Sequence, residues 1–472
     1  MPQPLPPSLS GLPVVGNAIE YFTEPLALFQ RGYDEHGSIF SIRIGPRRAA
    51  VLLGPENNLF VFKQTDRALS LSTTFKWLTP LFTEKFPLAA ETDQHRDYRP
   101  ALLRPLKGKE SERYIRAIRT EVEHWMEGLG DEGEFELVET FGRIILDCAT
   151  RVFMGDEVRD QLADRFPGVF KDFTRRGSNH IARNFLSMTD RRSLRARLAL
   201  EGAVGDALAS RRANGVVPHD DYLQVLMDLK TATGDSLSDE EIFGLSIGLV
   251  WAGYPTTWGH ITWALIQLLQ HPGYLASVVD QVDDVIDNDR PMDGAGVRGL
   301  DLLELALKET ERMRATVVIM ARQTVEAYDV GGFHVPAGWL TIASPAFSHQ
   351  LPGLFDDPQR YRPERFAVDR RSERCPAHTA APAAAAGCPV SGHAPTNDGA
   401  DAGGSKAYTL IGFGGGTHKC IGEDFAVTEA KILIGLLLRN YELELLDREP
   451  VSRRGPRATR PKPPVRVRYR RR

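Results

Sequence analysis

A mainly α-helical protein with small β-sheets is the fold class this sequence predicts, on three observations. Apolar residues keep helical spacing from about residue 107 to 287, with few turn signals between them. One segment, from Ser238 to His271, is apolar nearly all round, which marks a helix buried within the protein rather than lying on its surface. Strand-like runs are short and lie outside that region: "SIFSIRIG" and "AAVLLG" near the start, and pieces of "TVVIMARQTVEAYDVGGFHVPAGWLTIAS" separated by Gly-Gly and Pro-Ala-Gly turns.

The elements follow in order. After the first strands, Ser238-x-x-Glu241 reads as a capping box and His271-Pro272-Gly273 as a stop. The roughly 30 residues between them make a helix of about 45 Å, long enough to cross a domain. A second helix is predicted from Leu300 to Arg314 and a third from about Gly422 to Asn440. Residues 370 to 406 are Ala, Pro, Gly and Ser with almost no large apolar group, so the segment is expected to be a disordered insertion. Within it Cys375-x-x-His378 and Cys388-x4-His393 offer zinc-ligand spacing in a setting that favours disorder. The arginines of the final "VRVRYRRR" alternate with apolar residues, which fits an edge strand better than a nucleic-acid-binding tail.

Composition narrows the function. The 472 residues are 25% charged and 42% hydrophobic, enough for a large core, and by length alone could hold roughly three average domains. A net charge of −4 gives no general reason for nucleic-acid binding. No apolar run approaches the roughly 20 residues of a membrane span. The start "MPQPLPPSLSGLPVVG" lacks a basic-then-apolar signal, and four cysteines do not make a disulfide framework. The expected compartment is the cytoplasm.

The chemistry concentrates in "FGGGTHKCIGEDFA". Glycines 414, 415, 416 and 422 bring bare backbone close to Cys420, just ahead of a helix, a setting that favours thiolate. Such a sulfur serves as a nucleophile or a metal ligand. The central helix carries its own anomaly, Pro255 in "LVWAGYPTTWGH". A proline there removes one backbone donor, presses on the Trp251 carbonyl and costs about 3 kcal/mol, so the helix is expected to be opened at that point.

Phe413-x-x-Gly416-x-His418-x-Cys420-x-Gly422 resembles the haem-thiolate loop of the cytochromes P450, and much of the chain is similar to that family. The resemblance implies a single domain of the P450 fold spanning 1–472, with haem b between the central helix and the Cys420 loop. Cys420 is then the axial ligand, Phe413 packs beside the sulfur, and Gly422 lets the following helix lie close to the porphyrin. Glu309 and Arg312 look like the family's Glu-x-x-Arg element, tied to Arg365 in "YRPERF". His95, Arg99, Arg322 and His418 are implied partners of the haem carboxylates.

"AGYPTT" resembles the helix segment that crosses the oxygen-binding face of haem, with Thr256 as the retained proton-relay residue and Pro255 where most members carry an acid. "TFKWLTPLFTEKF" and "ASPAFSHQLPGLFDDPQRYRPERF" are similar to the sterol 14α-demethylase branch, which places a histidine before the threonine. The implied substrate is an apolar small molecule under Phe75, Trp77, Leu78, Phe82, Trp251, Tyr254, Val318 and Ile319. The predicted function is O2-dependent monooxygenation in specialised metabolism by a monomer, with ferredoxin and ferredoxin reductase as electron donors. One alternative is a P450 acting on a substrate-borne N–O or O–O bond, without O2 activation. Another, from a different class, is a non-catalytic haem sensor or carrier.

Overall fold

The long buried helix forms where the sequence places it. In the computed structural model, which describes residues 3–178, 191–214, 220–230, 234–286, 292–367 and 407–472 except 448, 453, 454 and 456–458, it spans Asp239–Gln270. Ser238 caps it: its hydroxyl accepts from Glu241 N at 3.3 Å, while Glu241 returns a carboxylate to Ser238 N at 2.8 Å. The segment 370–406, with Cys375, His378, Cys388 and His393, lies outside the described residues.

The helix is not opened at Pro255. It runs through the proline as one continuous element. The missing N–H leaves the Trp251 carbonyl without its helical donor. Thr256 does not take up that carbonyl; its hydroxyl donates to Ala252 O at 3.0 Å and Gly253 O at 3.2 Å. These are back-bonds along the helix to carbonyls that already have helical donors, so they do not replace the bond the Trp251 carbonyl loses.

Two glycines one turn apart set how the 76–90 segment lies against this helix. A Cβ on Gly244 would stand 2.3 Å from Phe82 O, and one on Gly248 would meet the Phe86 ring at 2.7 Å. Because the Phe82 contact is backbone, Gly244→Ala is expected to destabilise by about 1–3 kcal/mol through overpacking. Thermal unfolding of the variant checks this, and an unchanged midpoint would refute the close approach.

Ten strands are described. Five form one sheet in the order β1 (Ile39–Ile44), β2 (Arg47–Leu52), β8 (Leu340–Ala343), β5 (Met320–Thr324) and β3 (Leu69–Ser70), with β2 and β8 parallel. Ala49 and Val51 of β2 enter one apolar cluster, Ala50 and Leu52 another. Burial on both faces explains why this stretch reads as an unbroken apolar run. β6 (Tyr328–Val330) and β7 (Phe333–Val335) make a hairpin.

The third sheet has the order β4 (Glu132–Glu136), β10 (Arg466–Arg471) and β9 (Tyr441–Leu445), so the arginine-rich strand is the middle one, not an edge. Its arginines meet acids on both neighbours: Arg468 reaches Glu134 and Glu444, each at 3.0 Å, and Arg470 pairs with Glu442. Among the described residues no helix is long and apolar enough to cross a membrane.

Candidate active site

The Cys420 loop is built by glycines in conformations other residues avoid. Gly414 (φ 76°) and Gly416 (φ 64°) lie in the left-handed region, and the loop closes with Cys420 N donating to Phe413 O at 2.8 Å. A Cβ at Gly422 would stand 3.9 Å from the sulfur. The helix Glu423–Asn440 begins immediately after. Cys420 is exposed, with no disulfide partner among the described residues.

The electrostatics of the thiol differ from expectation. Burial pushes it up, and the Gly422 N–H and the charges of Arg99 and Lys419 only partly offset this. A metal ion bound at the sulfur would hold it as thiolate, because coordination deprotonates a thiol outright.

Behind the loop lies a support that the sequence did not signal. Glu311 accepts from Gly412 N at 2.8 Å, and His349 Nε2 accepts from Ile411 N at 2.9 Å. Burial pulls His349 down to about 3, so it is the neutral acceptor this bond requires. Burial, then the charge of Glu423, raises the Glu311 carboxyl from 4.5 to about 8. The folded protein thus holds a proton that the unfolded chain releases above 4.5. Glu311's contribution to stability is complete below pH 4.5 and is lost as pH rises through 8. Glu311→Gln keeps an acceptor for Gly412 N without that proton. Its stability relative to wild type should therefore grow by a few kcal/mol between pH 5 and 8, read by denaturant unfolding. A constant difference across that range would refute the assignment.

The Glu309 helix (Asp301–Met313) and the 363–366 turn form the expected triad. Arg312 binds Glu309 with two bonds, Nε to Oε2 at 2.8 Å and Nη2 to Oε1 at 2.9 Å, and both side chains are fully buried. Arg365 Nε reaches the same carboxylate at 3.1 Å, while its other nitrogens hold the carbonyls of Asp356, Asp357 and Arg360.

The four residues expected at the haem carboxylates come from three separate segments. His95 and His418 stack with centroids 3.9 Å apart. Burial, then the charges of His418 and Arg99, pulls His95 down to about 3, leaving a neutral ring. Arg99 Nη2 donates to Lys419 O at 2.6 Å, tying the helix Thr92–Leu103 to the cysteine loop, while its Nε is buried with no hydrogen-bond partner. Arg322 is buried beside Thr65, with Nε 3.4 Å from its hydroxyl; burial lowers it to about 10, which leaves it cationic near neutrality. Sequence reasoning missed Asp66, whose carboxylate oxygens both lie 2.9 Å from His418 Nε2. Asp66 belongs to no motif and lies 352 residues from His418, so only the fold brings them together.

On the central helix the six residues Trp251 to Thr256 are all half-buried, between flanking stretches that are almost entirely buried. His260 joins the helix to the cysteine loop, its ring 6.1 Å from Phe413. Three residues expected to line the substrate are instead core. Leu78 is 0%, Phe82 2% and Val318 1% exposed, because the chain packs them rather than presenting them. Phe82 lies in an aromatic group with Phe86, Phe173 and Trp251. Phe75, Trp77, Trp251, Tyr254 and Ile319 are half-buried, with Tyr254 stacked on Trp258 at 5.3 Å.

Residues 6–468 match the family model described as "Cytochrome P450". The chain belongs to the cytochrome P450 family. It is 28% identical over 466 residues to the sterol 14alpha-demethylase of Mycobacterium tuberculosis (strain ATCC 25618 / H37Rv), covering 97% of this chain and 96% of that one. It is 29% identical over 483 residues to the sterol 14-demethylase of Arabidopsis thaliana, covering 99% and 92%. A solved structure, "Retinoic acid bound cyanobacterial CYP120A1", superposes with a TM-score of 0.81 at 21% identity over the full length of both chains and shows the P450 fold.

This P450 is thus a monooxygenase-type oxidoreductase whose cofactor is haem b, and the family implies a small-molecule substrate and redox partners. The side chains present fit that cofactor. The thiol is a soft iron ligand, and two arginines with two imidazoles suit a pair of carboxylates. The buried Nε of Arg99 is a donor with capacity to spare.

Proposed function

We propose that this P450 is an O2-dependent monooxygenase of an apolar small molecule in specialised metabolism, with ferredoxin and ferredoxin reductase as its electron donors. The observation that carries the reading is the Thr256 hydroxyl, retained in the half-open stretch of an otherwise buried helix. Haem bound through Cys420 supplies oxygen activation and the oxidising power. His95, Arg99, Arg322 and His418 hold its carboxylates; Phe413 packs beside the sulfur, and Gly422 lets the next helix lie close.

Phe75, Trp77, Trp251, Tyr254 and Ile319 offer apolar surface that binds the substrate and excludes water. Pro255 has neither an acid nor an N–H, so it carries no proton. Thr256 is then the proton-bearing side chain of the segment. Its hydroxyl can leave the Ala252 or Gly253 carbonyl to donate forward, while water on the freed Trp251 carbonyl replenishes it.

Thr256→Ala should lower the coupling of electron use to product several-fold and release hydrogen peroxide, while Thr256→Ser should keep coupling. Pro255→Glu should hold or raise coupling, with substrate binding measured alongside. Unchanged coupling in Thr256→Ala would remove the proposed role.

Pro255 also favours a second reading, in which the substrate brings its own N–O or O–O bond and needs no proton relay. Product formed from the true substrate under strict anaerobiosis would establish that reading. Label from O2 appearing in the product would exclude it.

A further inference from the structure

Asp66 is held with more care than a surface aspartate requires. It follows the helix Pro55–Gln64 with φ 70°, a left-handed conformation that aspartate and asparagine tolerate better than most residues. Its N–H donates to Leu69 O at 2.8 Å, which fixes the turn. Both carboxylate oxygens face His418 Nε2, and the hydroxyls of Thr92 and Thr417 donate to them at 3.3 Å each. The His418 ring in turn stacks on His95, 24° from parallel. Two distant segments, one carrying Thr92 and one carrying Thr417 and His418, therefore converge on one carboxylate beside the residues proposed to receive the haem carboxylates.

The arrangement fixes more than position. With Nε2 committed to Asp66, His418 has only Nδ1 left for another partner, so one carboxylate selects which nitrogen faces the cofactor. With haem held by these residues, the same carboxylate would place a negative charge near the redox centre, where it would stabilise the oxidised, more positive state.

We propose that Asp66 is a positioning residue for the haem: its carboxylate orients His418, and through the stacked ring His95, toward the haem carboxylates, and its charge holds the reduction potential down. The proposal rests on the reading that His95 and His418 bind those carboxylates.

Full-length haem-loaded Asp66→Asn, Asp66→Glu and Asp66→Ala proteins test it, by spectroelectrochemical titration and by haem transfer to excess apomyoglobin. Asparagine keeps the acceptor and tolerates the backbone, so it removes mainly the charge. Asp66→Asn should retain haem while shifting the reduction equilibrium toward ferrous by about tenfold, which is 59 mV for one electron. Asp66→Ala should show that shift and lose haem about tenfold faster, since His418 is no longer held. Asp66→Glu should restore the potential toward wild type.

Potentials and haem-transfer rates equal to wild type in both the Asn and Ala variants would overturn the role of Asp66. If His95→Ala and His418→Ala also transfer haem at the wild-type rate, the haem-carboxylate reading itself fails. If those two lose haem faster while the Asp66 variants are inert, only the role of Asp66 falls. The three side chains also lie close enough to ligate a metal. One equivalent of tightly bound divalent metal in the haem-loaded protein, absent from Asp66→Ala, would likewise overturn the proposal.

Discussion

Cys420→Ala is expected to abolish the thiolate-type spectrum of the carbon-monoxide complex and most of the retained haem. The neighbouring groups cannot substitute for the sulfur. Arg99 and Lys419 are cations, and the other described free cysteine, Cys148, is buried elsewhere in the helical core, with Sγ 3.9 Å from Ile118 O. Cys148→Ala should therefore leave the spectrum intact. Cys420→Ser is the more discriminating variant, since it keeps size and a weak ligand while losing the soft sulfur donor. A thiolate-type spectrum surviving in Cys420→Ala would overturn the assignment.

Arg312→Ala should produce insoluble or haem-free protein. Its guanidinium is fully buried, makes two bonds to Glu309 and lies 5.1 Å over the Phe355 ring. Truncation leaves Glu309 buried against Arg365 and the Arg362 N–H alone, 2.9 Å from Oε1. Breaking such a network from one side costs about 3–5 kcal/mol, a large share of the stability of a typical domain. Arg312→Lys should recover little, because an ammonium cannot reproduce the two-pronged contact. Normal haem loading and an unchanged unfolding midpoint in Arg312→Ala would refute the structural role.

Local signals were legible where a short stretch of chain determines the outcome. The capping box at Ser238, the turns at Gly414 and Gly416, and the three-residue spacing of Glu309 and Arg312 each depend on a few consecutive residues. All appear as the sequence implies. What escaped depends on distant packing. Asp66 and Glu311 occupy the site only because remote segments converge there. Leu78, Phe82 and Val318 have the composition of lining residues, but tertiary burial makes them core. The terminal arginines alternate as an edge strand would, and only β4 and β9 on either side reveal a middle strand. Pro255 is the instructive error: a local cost predicted a break, and the Thr256 hydroxyl at the neighbouring carbonyls accompanies an unbroken helix instead.

The middle position of β10 has a consequence for the order in which the molecule assembles. Arg468 pairs with Glu134 across 334 residues of chain, and β4 and β9 meet only through the strand between them. Closing so long a loop has an entropic cost that must be met before the β4–β10 contacts offset it, which makes that pairing slow, whereas β9 and β10 close a loop of only about 20 residues. The β9–β10 pair can form first, leaving the side of the arginine strand that later meets β4 open for a time. In that interval β10 is an edge strand along which Arg466, Arg468 and Arg470 alternate with Val467 and Tyr469. Like-charged strands repel one another, so the row of arginines, one of which later meets Glu134, also discourages two unfinished chains from joining edge to edge.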